Sequence, residues 1–285
     1  MARARTIAER VEQLLGRAVV ATTPVAGGDI CTATRLRLSD GTSVLAKTRP
    51  AAPDGFFEAE ARGLRWLADS GVAAVARVLA VETDCLVVEW VEPARPTPEV
   101  AAGLGRSLAA LHAAGAPAYG AEQDGFVGSL PLPNRPAPTW QEFYAVRRVL
   151  PYLKLARDRG RVEAKDARTV ESLVGRITAV AGPAEPPARL HGDLWSGNVV
   201  WAADRAVLID PAAHGGHRET ALAMLALFGA PHLPRLLEAY ADVAPLADGW
   251  RERRPLHQVF PLLVHAAMFG GGYGHRAAEA AARVV

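Results

Sequence analysis

The sequence has little cysteine: Cys31 and Cys85 are the only two among 285 residues. They lie far apart and belong neither to a C-x-x-C pair nor to a group of potential metal ligands. A disulfide framework or a structural zinc site is therefore not indicated. Two isolated thiols are typical of a reducing compartment, so we expect a cytoplasmic protein.

The sequence also lacks an excess of one charge and a long apolar run. Its 32 Lys and Arg residues nearly balance its 30 Asp and Glu residues, and the basic residues are scattered, so nucleic acid is not an expected partner. The most apolar segment, residues 259–269, is interrupted by a proline and a histidine. It is far shorter than the roughly 20 residues that span a bilayer. Residues 1–15 contain two glutamates and predict a surface helix rather than a signal peptide, so we expect no membrane association.

Half of the residues are hydrophobic, which is enough for a sizeable core in one large or two modest domains. Strand patterns occur at 19–21, 32–38, 42–47, 75–81 and 86–90, with one helical pattern at 56–68. After a proline-rich segment at 93–98, helical patterns follow at 99–114, 139–158, 164–180, 218–228, 233–241 and 256–269. We predict an α/β (α+β) fold with two lobes, a small β-rich N-lobe over 1–91 and a large helical C-lobe over 92–285.

The most informative segment is residues 191–198, HGDLWSGN, which has the H-x-D-L-x-x-x-N spacing of a phosphotransferase catalytic loop. In such a loop the aspartate, here Asp193, accepts the proton of the attacking hydroxyl, and the asparagine, here Asn198, offers an oxygen to Mg²⁺. A predicted hairpin then delivers Asp210 back beside Asn198 as a second metal ligand. A lone Asp or Asn in such a turn more often serves as a cap, but the joint pattern favours phosphoryl transfer.

The predicted N-lobe contains groups that a nucleotide needs. Gly27 and Gly28 lie between two predicted strands, where a backbone without Cβ can approach phosphates. Taken alone, this pair is more typical of a hairpin turn. Lys47 ends the strand V-L-A-K, which is similar to the V-A-I-K strand whose lysine contacts ATP phosphates.

The helical pattern at 56–68 predicts a partner for that lysine. Glu60 falls on the apolar face of the helix, between Phe57 and Leu64, and an inward carboxylate requires a compensating charge. Lys47 is the natural partner. Glu58 falls on the face that carries basic residues, and it stays open as the alternative partner.

The segment 190–198, continued by 209–212 and 216–219, resembles the fructosamine kinase (ketoamine 3-kinase) family. The sequence Leu-Trp-Ser-Gly in this segment distinguishes it from aminoglycoside phosphotransferases and choline kinases, which share the protein-kinase-like fold. The resemblance extends over essentially the whole chain, with further matches at 27–30, 57–60, 108–112, 128–131, 227–229 and 265–273.

The resemblance implies a role for each matched residue. It implies that Asp193 is the catalytic base, that Asn198 and Asp210 bind Mg²⁺, and that Glu60 holds Lys47 on the ATP phosphates. It also implies a hinge whose backbone pairs with adenine, formed by Glu89, Trp90 and Val91.

Three residues are expected on the substrate side of the cleft. Trp195 resembles an aromatic residue that flanks the sugar, with core packing as an equal alternative. His191 is expected to orient the loop by a hydrogen bond rather than to act as a base. Glu219 is the single acid in the segments that we expect to line the C-lobe cleft, so we predict that it receives the substrate amine.

Three positions depart from the family pattern. Ala221 stands where relatives usually have an aspartate that supports the catalytic-loop backbone, which predicts a less rigid loop. His214 stands where relatives have an aromatic residue. Cys31 follows the glycine pair where many relatives have asparagine, and a merely tolerated thiol is the simplest account.

The catalytic-loop pattern and the family resemblance together predict a monomeric ATP-dependent kinase. It is expected to phosphorylate the 3-hydroxyl of fructosamine or ribulosamine adducts, whether free or protein-bound, as a step of deglycation. A kinase for aminoglycosides or amino alcohols is the alternative enzyme. Aminoglycosides are polycations, and the expected cleft offers too few acids to receive one. A nucleotide-binding pseudokinase that serves as an interaction module is the alternative of another class, and Ala221 is its only support.

Overall fold

The computed structural model describes residues 6–26 and 30–285. Its first part is a five-stranded antiparallel sheet, in which the strand that is fifth along the chain lies between the third and the fourth. The strands are β1 (Val19–Val25), β2 (Thr32–Leu38), β3 (Ser43–Thr48), β4 (Val78–Glu82) and β5 (Cys85–Glu89), with helices α1 (Ile7–Leu15) and α2 (Phe56–Ala68). All five predicted strands are present, some with ends shifted by a few residues, and the helix at 56–68 has the predicted bounds.

Helix α2 packs on this sheet through the face that its sequence predicts. Phe57, Leu64 and Leu67 are almost completely buried. Burial of large apolar side chains stabilises such packing by about 1.5–3 kcal/mol each. The apolar face fixes the rotation of α2 and therefore directs Glu60 toward strand β3.

The second part of the chain is mainly helical. It contains α3 (Pro98–Ala113), α4 (Trp140–Phe143), α5 (Leu150–Asp158), α6 (Ala164–Val180), α7 (Arg218–Phe228), α8 (Leu233–Val243), α9 (Trp250–Phe269) and α10 (Tyr273–Ala282). A π-helical stretch, Tyr144–Val149, joins α4 to α5, so the predicted helix at 139–158 is one interrupted element. Helix α9 begins six residues before the predicted start and includes Pro255, and α10 was not predicted.

Three short two-stranded sheets complete this part. They are β6 (Gly125–Val127) with β7 (Leu130–Leu132), β8 (Ala188–Leu190) with β11 (His214–Gly216), and β9 (Val199–Trp201) with β10 (Ala206–Leu208). The last of these is the predicted hairpin. Within the described ranges, none of the helices has the length and apolarity to cross a membrane. Sheet gives way to helix between Glu89 and Pro98, and the exact lobe boundary at residue 91 stays a prediction.

Candidate active site

The β9–β10 hairpin brings three polar residues of the predicted site together. The backbone N–H of Ile209 donates to the carbonyl of Asn198 at 3.0 Å, which closes the hairpin and sets Asp210 beside Asn198. Asn198 Nδ2 donates to Asp193 Oδ2 at 2.9 Å and to the Asp193 carbonyl at 2.8 Å. Asp193, Asn198 and Asp210 therefore share one site, as their spacing predicts.

Asp193 has the electrostatic environment of a proton acceptor. Burial raises the pKa of its carboxyl group to about 7. The hydrogen bond from Asn198 partly opposes this rise, and the nearby charge of Asp210 adds to it. A base is most effective when its pKa lies near the working pH, so a carboxyl group with this pKa can accept a proton near neutrality.

Lys47 lies between two carboxylates. Its Nζ is 2.7 and 2.8 Å from the oxygens of Glu60 and 2.8 Å from Asp210 Oδ1. Burial opposes the charge of Lys47, but Asp210 and Glu60 outweigh it and raise the pKa of the ammonium, which stays protonated. Burial and Asp210 raise the pKa of Glu60, although Lys47 opposes them. The structure thus pairs Lys47 with Glu60 and not with the alternative, Glu58.

Asp210 adopts an unusual backbone conformation, with φ at 54° in the left-handed region. A non-glycine residue held there costs about 1–3 kcal/mol and persists only where its surroundings impose it. The preceding carbonyl, that of Ile209, accepts a hydrogen bond from His191 Nε2 at 2.7 Å. The strain therefore sits where a carboxylate is presented to the cleft.

His191 supports the loop from beneath and does not reach the cleft. It is 1 % exposed, and burial lowers its pKa to about 4, so the ring is neutral. With its proton on Nε2, the other nitrogen accepts the N–H of Asp193 at 3.3 Å. This geometry agrees with the expected orienting role and corrects its grouping with substrate-contacting residues.

The oxygen atoms of this site suit Mg²⁺. Asn198 Nδ2 is committed to Asp193, so the amide oxygen is the atom that can take a cation. The Asp210 side chain is 42 % exposed and keeps a second oxygen beside the one that meets Lys47. One carboxylate, one amide oxygen and nucleotide phosphates form the hard donor set that Mg²⁺ prefers.

Trp195 lies at the mouth of the site. Its side chain is one of the exposed large hydrophobic groups, at 40 %, and its ring meets Phe228 edge-on at 6.4 Å. A Cβ at Gly197 would approach the indole to 2.3 Å, so glycine is required there for this ring position. The core-packing alternative for Trp195 is excluded by its exposure.

Sequence reasoning missed an aromatic cluster that continues from Trp195. The ring of His265 contacts those of Phe228, Phe269 and Tyr273, at centroid distances of 4.6, 5.6 and 5.2 Å respectively. The segments 227–229 and 265–273 matched the family pattern. Their mutual contact was not readable, because it depends on how α7, α9 and α10 pack.

Glu219 is not in the cleft. It is 1 % exposed, and its two oxygens accept hydrogen bonds from Arg253 at 2.6 and 3.1 Å. Burial opposes its charge, but the nearby His257 and the hydrogen bonds from Arg253 prevail and lower its pKa to about 2. The prediction that Glu219 receives the substrate amine is therefore corrected: it is half of a buried ion pair in the C-lobe.

Glu89 is the last residue of β5, and Trp90 and Val91, the other two residues of the predicted hinge, follow it. The N–H groups of Glu89 and Trp90 donate to the carbonyls of Arg77 and Ser43 within the protein. The Trp90 indole donates to Glu92 at 2.8 Å and lies against the guanidinium of Arg35, so these two side chains hold the ring. In the described part of the chain, Val91 is the hinge residue whose N–H is left for a ligand.

Three other expected features have different outcomes. Gly27 and Gly28 lie outside the described residues. Cys31 is half-buried near the Lys47 cluster, and burial raises the pKa of its thiol, which does not favour a reactive thiolate. Ala221 packs in an apolar cluster of the C-lobe.

Comparison with known proteins agrees with this site. The fructosamine kinase family model matches residues 3–285. A Thermus thermophilus protein assigned as a ketoamine kinase is 42 % identical over 251 residues, which are 88 % of each chain. A crystal structure from Thermobifida fusca, assigned as a fructosamine-3-kinase, superposes with a TM-score of 0.94 at 49 % identity over 98 % of each chain.

A more distant likeness identifies the fold. The macrolide 2'-phosphotransferase MphH of Brachybacterium faecium has a TM-score of 0.64 at 15 % identity, with 95 % of this chain and 96 % of that one covered. At that identity the likeness shows the protein-kinase-like phosphotransferase architecture alone. Because the family model covers almost the whole chain and the loop, hairpin and lysine pair are all in place, this protein belongs to the fructosamine kinase family.

Proposed function

We propose that this protein transfers the γ-phosphoryl group of ATP to the 3-hydroxyl of a ketoamine, such as a fructosamine or ribulosamine adduct. The observation that carries the proposal is the convergence of Asp193, Asn198 and Asp210 with the Lys47–Glu60 pair in one site. Family membership supports the ketoamine as the acceptor.

On this proposal the chain holds ATP from two sides. The backbone of Glu89 and Val91 pairs with adenine, and Lys47 contacts the phosphates while Glu60 keeps its ammonium in position. Asn198 and Asp210 hold Mg²⁺, which when bound neutralises charge on the β and γ phosphates.

Asp193 then acts on the acceptor. Its carboxylate accepts the proton of the sugar hydroxyl as the oxygen attacks the γ-phosphorus, while the bond from the γ-phosphorus to the β-γ bridging oxygen breaks and ADP leaves. Asn198 Nδ2 fixes the direction of that carboxylate. Catalysis of this kind depends mainly on positioning and charge neutralisation. Trp195, exposed beside the base, offers a flat apolar face to the sugar ring.

The product explains the biological use. The enaminol form of a 3-phosphorylated ketoamine can expel inorganic phosphate from C3, and water then hydrolyses the resulting imine. The hydrolysis releases the free amine and a 3-deoxy dicarbonyl sugar, which is deglycation. We propose that the enzyme is a monomer and acts in the cytoplasm, and its two free cysteines agree with that compartment.

The decisive experiment is a product assay with labelled ATP over a panel of ketoamines and aminoglycosides. We expect phosphate on fructosamine or ribulosamine adducts and none with Asp193→Asn, which should still bind nucleotide. Phosphate on kanamycin-type substrates but on no ketoamine would contradict the acceptor and leave the phosphotransferase site standing. ATP binding without transfer to any acceptor would favour the pseudokinase alternative.

A further inference from the structure

His214 lies at a point that the proposed chemistry does not use. It is the first residue of β11, whose pairing with β8 sets it opposite Leu190, just before the catalytic loop. The imidazole is 4 % exposed and lies against the ring of Phe143 at 5.7 Å. A Cβ at Gly192 would lie 3.0 Å from Nδ1, and one at Gly216 would lie 3.4 Å from Nε2. Two glycine backbones thus leave the space that this ring fills.

The partner of His214 determines its tautomer. Nδ1 is 2.8 Å from the carbonyl oxygen of Ala212, and a carbonyl can only accept, so Nδ1 carries the proton. Burial, assisted by the positive charge of Arg148, keeps the pKa of His214 well below its usual value. The ring is therefore neutral and has one N–H, which is committed to Ala212.

Two such bonds bracket Asp210. His191 donates to the carbonyl of Ile209, the residue before Asp210, and His214 donates to the carbonyl of Ala212, two residues after it. The N–H of Ala212 also donates to the carbonyl of His191 at 2.9 Å. Asp210, at φ 54°, lies between these fixed points. A left-handed non-glycine residue needs such external support.

We propose that His214 is a positioning residue that holds the backbone around Asp210 in its left-handed conformation and thereby sets the affinity of the site for Mg²⁺. The proposal rests on the proposed function, because it takes Asp210 as a metal ligand. The positioning role is assigned to the Nδ1–H donor of His214 and not to the packing of its ring. Asparagine keeps an N–H on the atom attached to Cγ, as histidine does, whereas phenylalanine has a similar ring and no donor.

The test is calorimetric titration with ADP, in the presence and absence of Mg²⁺. In the wild type, Mg²⁺ should tighten ADP binding. His214→Phe should lose about 10- to 100-fold of that tightening, the range observed when a residue that orients a metal ligand is removed. Its affinity for ADP alone should not change. His214→Asn should stay within a few-fold of the wild type.

His112 provides a matched control. It is also 4 % exposed, and its Nδ1 bonds to the Tyr240 hydroxyl at 2.8 Å, in helix α3 away from the catalytic loop. His112→Phe should weaken folding to a similar degree and leave the Mg²⁺ effect intact. If His214→Phe does not fold, His214→Gln replaces it, because its amide lies one bond too far and should not restore the effect.

Three outcomes would overturn the proposal. The first is full Mg²⁺-dependent tightening in folded His214→Phe, and the second is an equal loss in His214→Asn. The third is the same loss in His112→Phe, which would show a general effect of core damage. A wild type that binds Mg²⁺ and ADP but phosphorylates no ketoamine would instead refute the proposed acceptor, so the two failures are distinguishable.

Discussion

The pKa of Asp193 leads to a sharp prediction for the pH dependence of catalysis. In the proposed mechanism the carboxyl group must be ionised to accept the hydroxyl proton, and its pKa is raised from 3.8 to about 7. With a single ionisation, about 3 % of the free enzyme has the ionised form at pH 5.5. An aspartate with the unshifted value would be about 98 % ionised at that pH. kcat/KM for the ketoamine should therefore fall about tenfold per pH unit below neutrality.

The assay measures ADP release between pH 5.5 and 8.5 at subsaturating ketoamine, since kcat/KM reports ionisations of the free enzyme. Circular dichroism and nucleotide binding at each pH establish that the protein stays folded and competent. An acidic limb of the kcat/KM profile with its midpoint below pH 5 would refute the reasoning, because burial and Asp210 would then not determine the pKa of Asp193.

Glu60 requires a control, since burial also raises its pKa. In Glu60→Gln the acidic limb should persist near neutrality, at a lower overall rate, because Asp193 is unchanged. Loss of the limb in this variant would assign it to Glu60. Glu58→Gln, which removes a carboxylate outside the lysine pair, should change neither the rate nor the limb.

Three further predictions concern the Lys47–Glu60 pair, Trp195 and the buried histidines. Lys47→Met and Glu60→Gln should each strongly reduce kcat/KM for ATP. The loss in the double variant, expressed as a free energy, should be smaller than the sum of the two single losses by about 0.5–3 kcal/mol, because the two residues touch. The losses of Glu58→Gln and Lys47→Met should add, and coupling between these two would contradict the face assignment of α2. Trp195→Ala should raise KM for the ketoamine severalfold with little change in KM for ATP. Equal changes in both KM values would contradict the proposed contact between Trp195 and the sugar. Urea unfolding at pH 7 and 5.5 should show that the buried neutral histidines favour unfolding at the acidic pH, because their pKa values lie below that of an unfolded histidine and the unfolded chain takes up protons first as the pH falls below about 6.5. Asp193 and Glu60, whose pKa values burial raises, take up protons in the folded chain and oppose part of this loss. His112, whose pKa burial lowers to about 3, should contribute about 1 kcal/mol to the loss, so an unchanged loss in His112→Phe would contradict the prediction.

The corrected residue shows why burial of a charge is hard to read from a sequence. Glu219 lies in the first turn of helix α7 and looks like a cleft residue, because glutamates are usually exposed. Its partner Arg253 is 34 positions away on α9, and a second contact, His257, lies one turn further along that helix. A pair of this kind exists only once α7 and α9 pack together.

The sequence by itself determined the local features of this protein. The spacing from His191 to Asn198 and the short hairpin after it place Asp193, Asn198 and Asp210 together, because each contact joins residues close in the chain and depends on local hydrogen bonds. The period of α2 determined that Glu60 faces inward, since a helix with one apolar face has one way to pack.

Only the tertiary structure decided how these local units meet. The bond from Lys47 to Asp210 joins residues 163 positions apart and depends on how the sheet lies over the hairpin. The aromatic cluster beside Trp195 depends on three helices. The bracket around Asp210 depends on the pairing of β8 with β11, two three-residue strands too short to show an alternating pattern. Long-range contacts of this kind arise from packing among elements, for which a periodicity within one element carries no signal.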